Sequence, residues 1–208
     1  MRRFLLLAHR VPPDGAFSLN DLAGSGGRMD EVARVASNAF TLSNDLRRDT
    51  ELLILFSLDP ARGREISLSG ARLKFLNPDE RSTAALLKNA LARATPSDRP
   101  TEVSPGLSVG PVDPLARLAE FARRPDAVWL TESGGPIEGW PSPEGGFAAV
   151  LSDPSDPTPA EVAVLEAAGL PRVRVGPRSL RSSQVVDLVH HEFDRREEPS
   201  RPPPGGPA

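Results

Sequence analysis

The sequence predicts a single α/β domain over residues 1–195, built on a largely parallel sheet with helices on both faces. Three observations carry this reading. Two continuous apolar runs, RFLLLA at 3–8 and ELLILFSL at 51–58, have the length and uniform hydrophobicity of strands buried on both faces. From residue 114 onward, helix-like and strand-like segments alternate, the order that a parallel sheet with crossover helices needs. A chain of 208 residues, 38% hydrophobic and 25% charged, also suits one globular domain with a sizeable core.

The first run opens the chain. MRRFLLLAHR is basic and then apolar, but residues 4–8 are too few for the apolar core of a signal peptide and no small-residue cleavage site follows. A strand is expected there. No apolar run approaches the roughly 18 residues of a membrane span, so a cytoplasmic protein without membrane contact is expected. The loop PPDGAFSLNDLAGSGG then leads into a helix from about Arg28. Met29, Val32, Ala33, Ala36, Ala39 and Phe40 follow the helical period, and Asp30, Arg34, Asn38 and Thr41 form the opposite face.

After the second run, EISLS at 65–69 and ARLKFL at 71–76, joined at Ser69-Gly70, read as a hairpin. Asn77-Pro78 opens a helix reaching about Ala94, with Asp79 and Glu80 in its first turn. Five prolines within 95–114 mark a flexible crossing. Beyond it come a helix at 114–124, strands at 127–131 and 147–152, a helix at 159–168, a strand at 172–176 and a helix at 182–195. The proline- and glycine-rich end, 196–208, is expected to be a disordered tail.

Composition excludes several chemistries. Without cysteine there are no disulfides, no thiolate nucleophile and no cysteine-bound zinc. Walker loops, a GxGxxG after a strand, a GxSxG elbow and a zincin helix are all missing. No metal site is expected: His190 and His191 are adjacent and point different ways on a helix, while His190 and Asp194 stand at i,i+4 and order a helix surface. Charge is uneven, +3 over residues 1–100 and −6 over 101–208. The cations are nearly all arginine, Lys74 and Lys88 being the only lysines. That permits an RNA partner for the N-terminal half without demanding one, since a GC-rich genome also favours arginine.

In an open α/β sheet, ligands bind beyond the carboxyl ends of the strands. Three such ends carry small or polar residues: Leu130-Thr131-Glu132-Ser133-Gly134, Leu151-Ser152-Asp153-Pro154 and Val175-Gly176-Pro177-Arg178. Glycine and proline also simply end strands; convergence of all three on one rim is what makes a cofactor site.

The segments GGRMDEVARVASNAFTLS, LNPDERST and VRVGPRSLRSSQVVDLVHHEFDR, in this order, resemble the archaeal tRNA pseudouridine N1-methyltransferases (the TrmY family) of the SPOUT superfamily. The similarity runs over about residues 1–195. It implies a SPOUT-like fold with a C-terminal trefoil knot, a homodimer, S-adenosyl-L-methionine bound in the knot, and methylation of pseudouridine-54 in the T-loop of tRNA. Position by position, it implies cofactor contacts from Leu130, Ser152, Val173, Arg174, Val175, Gly176, Pro177, Arg178 and Val185. Two positions depart from the family pattern, which commonly has glycine at Ser152 and cysteine at Val185. Glycine there would allow closer approach of an adenosine to the backbone, whereas Val185 keeps a small apolar wall.

Methylation at N1 of pseudouridine requires loss of the N1 proton and stabilisation of the base anion that develops. Arg28 and Asp30 are the candidate catalytic residues. Arg28 stabilises the anion or holds phosphate; Asp30 accepts the proton or orients an arginine, since Asp30 and Arg34 stand at i,i+4. Arg28, Arg34 and Arg81 are the expected RNA contacts, although Arg81 also has acids nearby to pair with at its helix start. Val185, Val186, Leu188, Val189 and Phe193 give the last helix more apolar surface than one core stripe uses, consistent with a dimer. Two other readings stand beside this one. The first is the related ribosome-biogenesis family acting on rRNA pseudouridine, whose members usually carry inserted elements. The second is an RNA-binding dimer that has lost methyl transfer, suggested by Ser152 and Val185.

Overall fold

Strand β1 (Arg2–Ala8) occupies the interior of an eight-stranded sheet, as its uninterrupted apolar run requires. The computed structural model describes residues 1–56, 63–94, 99–141 and 146–197. β2 (Thr50–Phe56) and β7 (Phe147–Ser152) flank β1 in parallel, with Leu5 beside Leu53 and Val150. On the β7 side, β6 (Ala127–Pro136) and β8 (Arg172–Arg174) continue the parallel arrangement. On the β2 side, β3 (Arg64–Ser69), β5 (Leu107–Pro111) and β4 (Thr101–Ser104) extend the sheet antiparallel. The order is β4-β5-β3-β2-β1-β7-β6-β8.

Alternate residues of β1 face opposite helical layers. Phe4, Leu6 and Ala8 join the core under α1 (Met29–Phe40), α2 (Glu80–Ala92) and α5 (Ser182–Glu197). Leu5 and Leu7 join the core under α3 (Pro114–Ala122) and α4 (Pro159–Ala167). The helices thus cover both faces, as the alternating pattern predicts. Replacing a fully buried leucine of β1 by alanine is worth about 2–5 kcal/mol.

Three expectations are corrected. The hairpin at 65–76 does not form: β3 is a strand, but 71–76 is not. Both edges of β3 are taken, by β2 and β5, so 71–76 has no strand edge to pair with. The segment turns on Ser69 O, which accepts from Arg72 N (3.0 Å) and Leu73 N (2.9 Å), and Arg48 Nη1 holds the carbonyls of Gly70 (3.2 Å) and Leu73 (2.6 Å). Its apolar residues are used singly, with Leu73 and Leu76 buried and Phe75 left 85% exposed. Secondly, the crossing read as flexible contains the β4–β5 hairpin; its residues 95–98 lie outside the described ones. Pro105-Gly106 makes the turn, with Gly106 at φ +79, while Pro100 and Pro111 fall at strand ends and Pro114 opens α3. Lastly, β6 runs on to Pro136 with a register shift between Leu130 and Gly135, which pushes residues 131–134 out of the ladder.

Smaller differences lie at the ends of elements. Asp79 is the N-cap of α2 and accepts from Ser82 N, so it precedes the first turn. Residues 57 and 58 of the second apolar run lie outside the described residues, and so does the tail from 198; Arg196 and Glu197 belong to α5.

The first strand and the last helix are joined where β1 begins. Arg2, 3% exposed, donates to His190 Nδ1 (3.2 Å), Asp194 Oδ1 (2.6 Å) and Glu197 Oε2 (2.9 Å). His190 Nε2 donates to Ala39 O at 3.1 Å, and Arg47 Nη2 reaches Asp194 Oδ2 at 2.7 Å. His190 and Asp194 therefore meet through Arg2 and not as a surface pair. Burial first, and then the charges of Arg47 and Arg2, push the His190 pKa down to about 3. The ring is neutral.

Candidate functional site

The three polar strand ends do converge. A cleft of about 540 Å³ opens at the carboxyl ends of β6, β7 and β8, beside the first turn of α5. That volume falls within the range of small-molecule and cofactor sites. Leu130, Ser152, Val173, Arg174, Val175, Gly176, Arg178 and Val185 all line it. Pro177 does not; it is exposed and stands outside the wall. Leu151, Thr131, Glu132 and Asp153, which the sequence placed at these strand ends, also line it, and Val162 and Asp156 join them without having been singled out in the sequence.

Side chains stitch the walls together. Ser182 Oγ donates to the carbonyl of Ser152, Ser179 Oγ to Glu132 Oε1 (2.6 Å), and Arg174 Nη1 to Gly134 O (2.9 Å). Thr131 and Glu132 reach the cleft because the register shift in β6 displaces them from the sheet. At Gly176 an added Cβ would meet nothing within 4 Å, so this position faces open space. Ser152 and Val185 leave the cleft open. The residues present thus fit an adenosine-sized group: apolar strand-end walls, free space against Gly176 and polar groups at the rim.

Directly behind one wall lies a charged cluster that the sequence did not reveal. His9 follows β1, and its ring is held on both sides: Nδ1 is 2.9 Å from Asp153 Oδ1 and Nε2 is 2.9 Å from Glu161 Oε2. His9 N also donates to Asp153 Oδ2 at 2.9 Å. Burial alone would favour the neutral ring. The hydrogen bonds to the two carboxylates and their charges outweigh it and raise the His9 pKa to about 9. The same bonds hold Asp153 and Glu161 below the usual carboxylate range despite their burial. Because the carboxylates stand on opposite ring nitrogens, they share no point for a metal. Among the described residues no group of three His, Cys, Asp or Glu side chains could hold one.

The second cluster begins α1. Gly27 (φ +57) packs so closely on Arg10 O that a Cβ would stand 1.9 Å from it. Arg28 follows at φ 74, a left-handed conformation uncommon outside glycine, and provides no side-chain cap. Its fork clamps Asp30 instead, with Nε to Oδ1 at 2.9 Å and Nη2 to Oδ2 at 3.1 Å. Arg34 donates to Asp30 (2.9 Å), Glu31 (2.8 Å) and Glu80 (2.8 Å). Burial works against ionisation of Asp30, but the two arginines prevail and lower its pKa. A carboxylate held in this way orients arginines better than it takes up protons. Glu31 Oε1 also accepts from Ser183 N at 2.9 Å, tying this cluster to the helix start at the cleft. Arg28, Asp30 and Arg34 are not part of the cleft lining.

Arg81 stands apart on α2. Its Nη1 donates to Leu19 O (2.8 Å) and Asn20 Oδ1 (2.9 Å), so it holds the long loop before α1 instead of pairing with nearby acids. On α5, Val186, Val189 and Phe193 are buried within the subunit and Val185 lines the cleft; Leu188 alone of the five stays exposed. The apolar surplus read from the sequence is therefore mostly spent inside the chain.

Comparison with known proteins joins these observations. Residues 1–198 match a family model described as "Putative SAM-dependent RNA methyltransferase". A protein of Methanocella arvoryzae named tRNA (pseudouridine(54)-N(1))-methyltransferase is 39% identical over 199 residues, covering 94% of this chain and all of its own length. Proteins of the same name from Methanosarcina acetivorans (37% identical, 99% of this chain and 97% of the relative) and Haloferax volcanii (36%, 93% and 96%) are similar. Among solved structures, Archaeoglobus fulgidus Nep1 bound to S-adenosylhomocysteine superposes with a TM-score of 0.64 at 15% identity, over 93% of this chain and 97% of that one. That likeness shows the fold, which is SPOUT-like. With a cleft at the expected strand ends and similarity over nearly its whole length, the chain belongs to the S-adenosylmethionine-dependent RNA methyltransferase family that includes the archaeal tRNA (pseudouridine(54)-N(1))-methyltransferases.

Proposed function

We propose that this protein transfers a methyl group from S-adenosyl-L-methionine to N1 of pseudouridine 54 in tRNA, the reaction in the name of its relatives. The observation that carries the reading is the cleft lined by Leu130, Ser152, the 173–176 segment and Val185, in a chain that spans its relatives almost end to end. Bound there, the cofactor would supply a methyl group on a cationic sulfonium. Leu130, Val173, Val175 and Val185 would shelter it from water, with the strand-end backbone groups as its polar partners.

The protein's own work is to place the base and manage charge. Arg28 supplies a cation for the base anion or a phosphate, and Asp30, held ionised between Arg28 and Arg34, fixes both guanidinium groups. Asp30 is in this reading a positioning residue and not the proton acceptor. Arg34 and Arg81 extend the cationic surface toward RNA.

The α1 cluster does not line the cleft of its own subunit, so a homodimer would bring it to the partner's cleft as a composite site. Leu188, 38% exposed, and Leu42, 47% exposed, support a contact surface on the α1–α5 side. A trefoil knot belongs to the same reading. In its support, α5 starts against Ser152 at the end of β7, and at its far end Arg196 donates to the carbonyls of Trp140 (2.8 Å) and Ile137 (2.5 Å) in the segment between β6 and β7. The protein would act in the cytoplasm, where its tRNA is.

The test is mass mapping of RNA after incubation with the cofactor, offering in parallel tRNA that carries pseudouridine at 54 and a small-subunit rRNA fragment. Methylation of the tRNA alone is expected. Methylation of the rRNA alone would move the chain to the ribosome-biogenesis branch. RNA binding with no affinity for S-adenosylmethionine at high micromolar concentration would favour the inactive dimer.

A further inference from the structure

The segment connecting β7 to α4 forms one wall of the cleft through Ser152, Asp153, Pro154, Asp156 and Pro157. It has little regular structure, and Pro154 and Pro157 donate no backbone hydrogen bonds. What holds it lies at its two ends. Asp153 N donates to Leu7 O (2.8 Å), and Asp153 Oδ1 accepts from Ser155 N (2.9 Å). At the other end, Glu161 closes the capping box of α4: its Oε2 accepts from Thr158 N (2.7 Å) and Thr158 Oγ1 (2.9 Å). One imidazole spans the two ends, 2.9 Å from each carboxylate, with His9 10% exposed and Asp153 and Glu161 at most 1%.

We propose that His9 is a positioning residue for the cofactor cleft, a cationic clasp that sets the 152–157 wall by holding Asp153 and Glu161 at fixed separation. The proposal rests on the cofactor reading above. Its physical basis is donor count. An imidazolium has two N–H donors and satisfies both carboxylates, whereas a neutral ring has one, so its other nitrogen turns a lone pair on a buried carboxylate. Losing the proton therefore opens one jaw of the clasp. The charged groups facing the ring among the described residues are Asp153 beyond β7 and Glu161 on α4, both anionic. A pKa near 9 keeps the clasp closed at neutral pH.

The test is calorimetric titration of the full chain with S-adenosylhomocysteine between pH 6 and 10, for wild type, His9→Gln and Glu161→Gln, with folding checked by circular dichroism. The ligand's own amino group titrates in this window, so the quantity read is the ratio of wild-type to His9→Gln affinity. At pH 7 the ratio should be about tenfold and should shrink toward one as the pH passes 9. A folded His9→Gln with a ratio of one throughout would overturn the clasp and leave the cofactor site standing. Wild type that binds no S-adenosylhomocysteine at any pH would overturn the cofactor site itself, and the clasp with it. Glu161→Gln keeps an acceptor for the ring but removes one anion, so its alkaline loss of affinity should begin at lower pH than in wild type. Coincident profiles would overturn the proposal even if His9→Gln does not fold.

Discussion

His9 and His190 stand at opposite ends of β1 and differ in charge state, one a cation and the other neutral. At the rim, two carboxylates flank His9 and make it a cation. At the base, Arg2 points its guanidinium at His190 Nδ1, Arg47 adds a second positive charge, and the ring is neutral and donates to Ala39 O. Both rings are largely buried, and burial pushes both toward neutrality. The neighbours alone separate them. The base network spends its polar groups on joining the first strand to the last helix, whereas the rim network braces the wall of an open cleft. One end of the sheet is organised for stability, the other for binding.

The largest effect should come from breaking the base. Arg2→Ala leaves the buried Nδ1 of His190 without its donor and removes the packing of a side chain only 3% exposed, while Asp194 keeps Arg47; the cost is about 3 kcal/mol. Chemical denaturation should show this loss, while affinity for S-adenosylhomocysteine in the folded fraction stays within about twofold, because Arg2 is at the far end of the sheet. A fall in affinity as large as the fall in stability would mean that the two ends are not separable.

Next in size is the pH dependence, in which the two histidines act with opposite sign. His9 has a raised pKa, so its contribution is complete below about 6.5 and is lost as pH rises toward 9. His190 has a lowered pKa, so its contribution is complete above about 6.5 and is lost as pH falls toward 3. At roughly 1.4 kcal/mol per unit, each is worth a few kcal/mol. Stability measured by urea unfolding should thus peak near neutrality. In His9→Gln the alkaline decline should largely disappear and the acid decline remain; an unchanged alkaline limb would refute the assignment of charge at the rim.

Gly176→Trp should sharpen the comparison from the other side. An added Cβ meets nothing within 4 Å, so the fold should tolerate the change, yet the ring would enter or crowd the cleft. Cofactor affinity should fall at least tenfold, about 1.4 kcal/mol, with stability close to wild type. Unchanged binding would place the cofactor elsewhere.

The residues proposed to contact RNA should give the smallest change in free energy. Arg81→Ala or Arg28→Ala should weaken tRNA binding severalfold and lower the salt slope by about one, without altering cofactor affinity. Asp30→Asn should raise the tRNA dissociation constant together with slowing single-turnover methylation, as fits an orienting partner. Slowed transfer with intact binding would return the proton-acceptor role to Asp30.

Much of the cleft could be read from the chain because strand ends are local features. The polar residues after three apolar strands announced Leu130, Ser152 and Gly176, and all three lie on one rim. The β4–β5 hairpin had its own local signal, Pro105-Gly106 between two alternating segments, which the density of prolines obscured. The false hairpin at 65–76 arose because alternating apolar residues look alike whether they form a ladder or are buried one at a time. β5, formed only from residue 107 onward, takes the free edge of β3 and decides which.

By itself the sequence determined the core and the order of the elements outside the stretch from 71 to 111, since apolar runs and helical periods depend on neighbours a few residues apart. It also determined the family, through segments spread along the whole chain. Only the tertiary structure decided the charge states and partners. Asp153 and Glu161 are 144 and 152 residues from His9, and Arg2 is 188 residues from His190. A pKa follows the charges within a few ångströms, and no spacing along the chain records which residues folding brings that close.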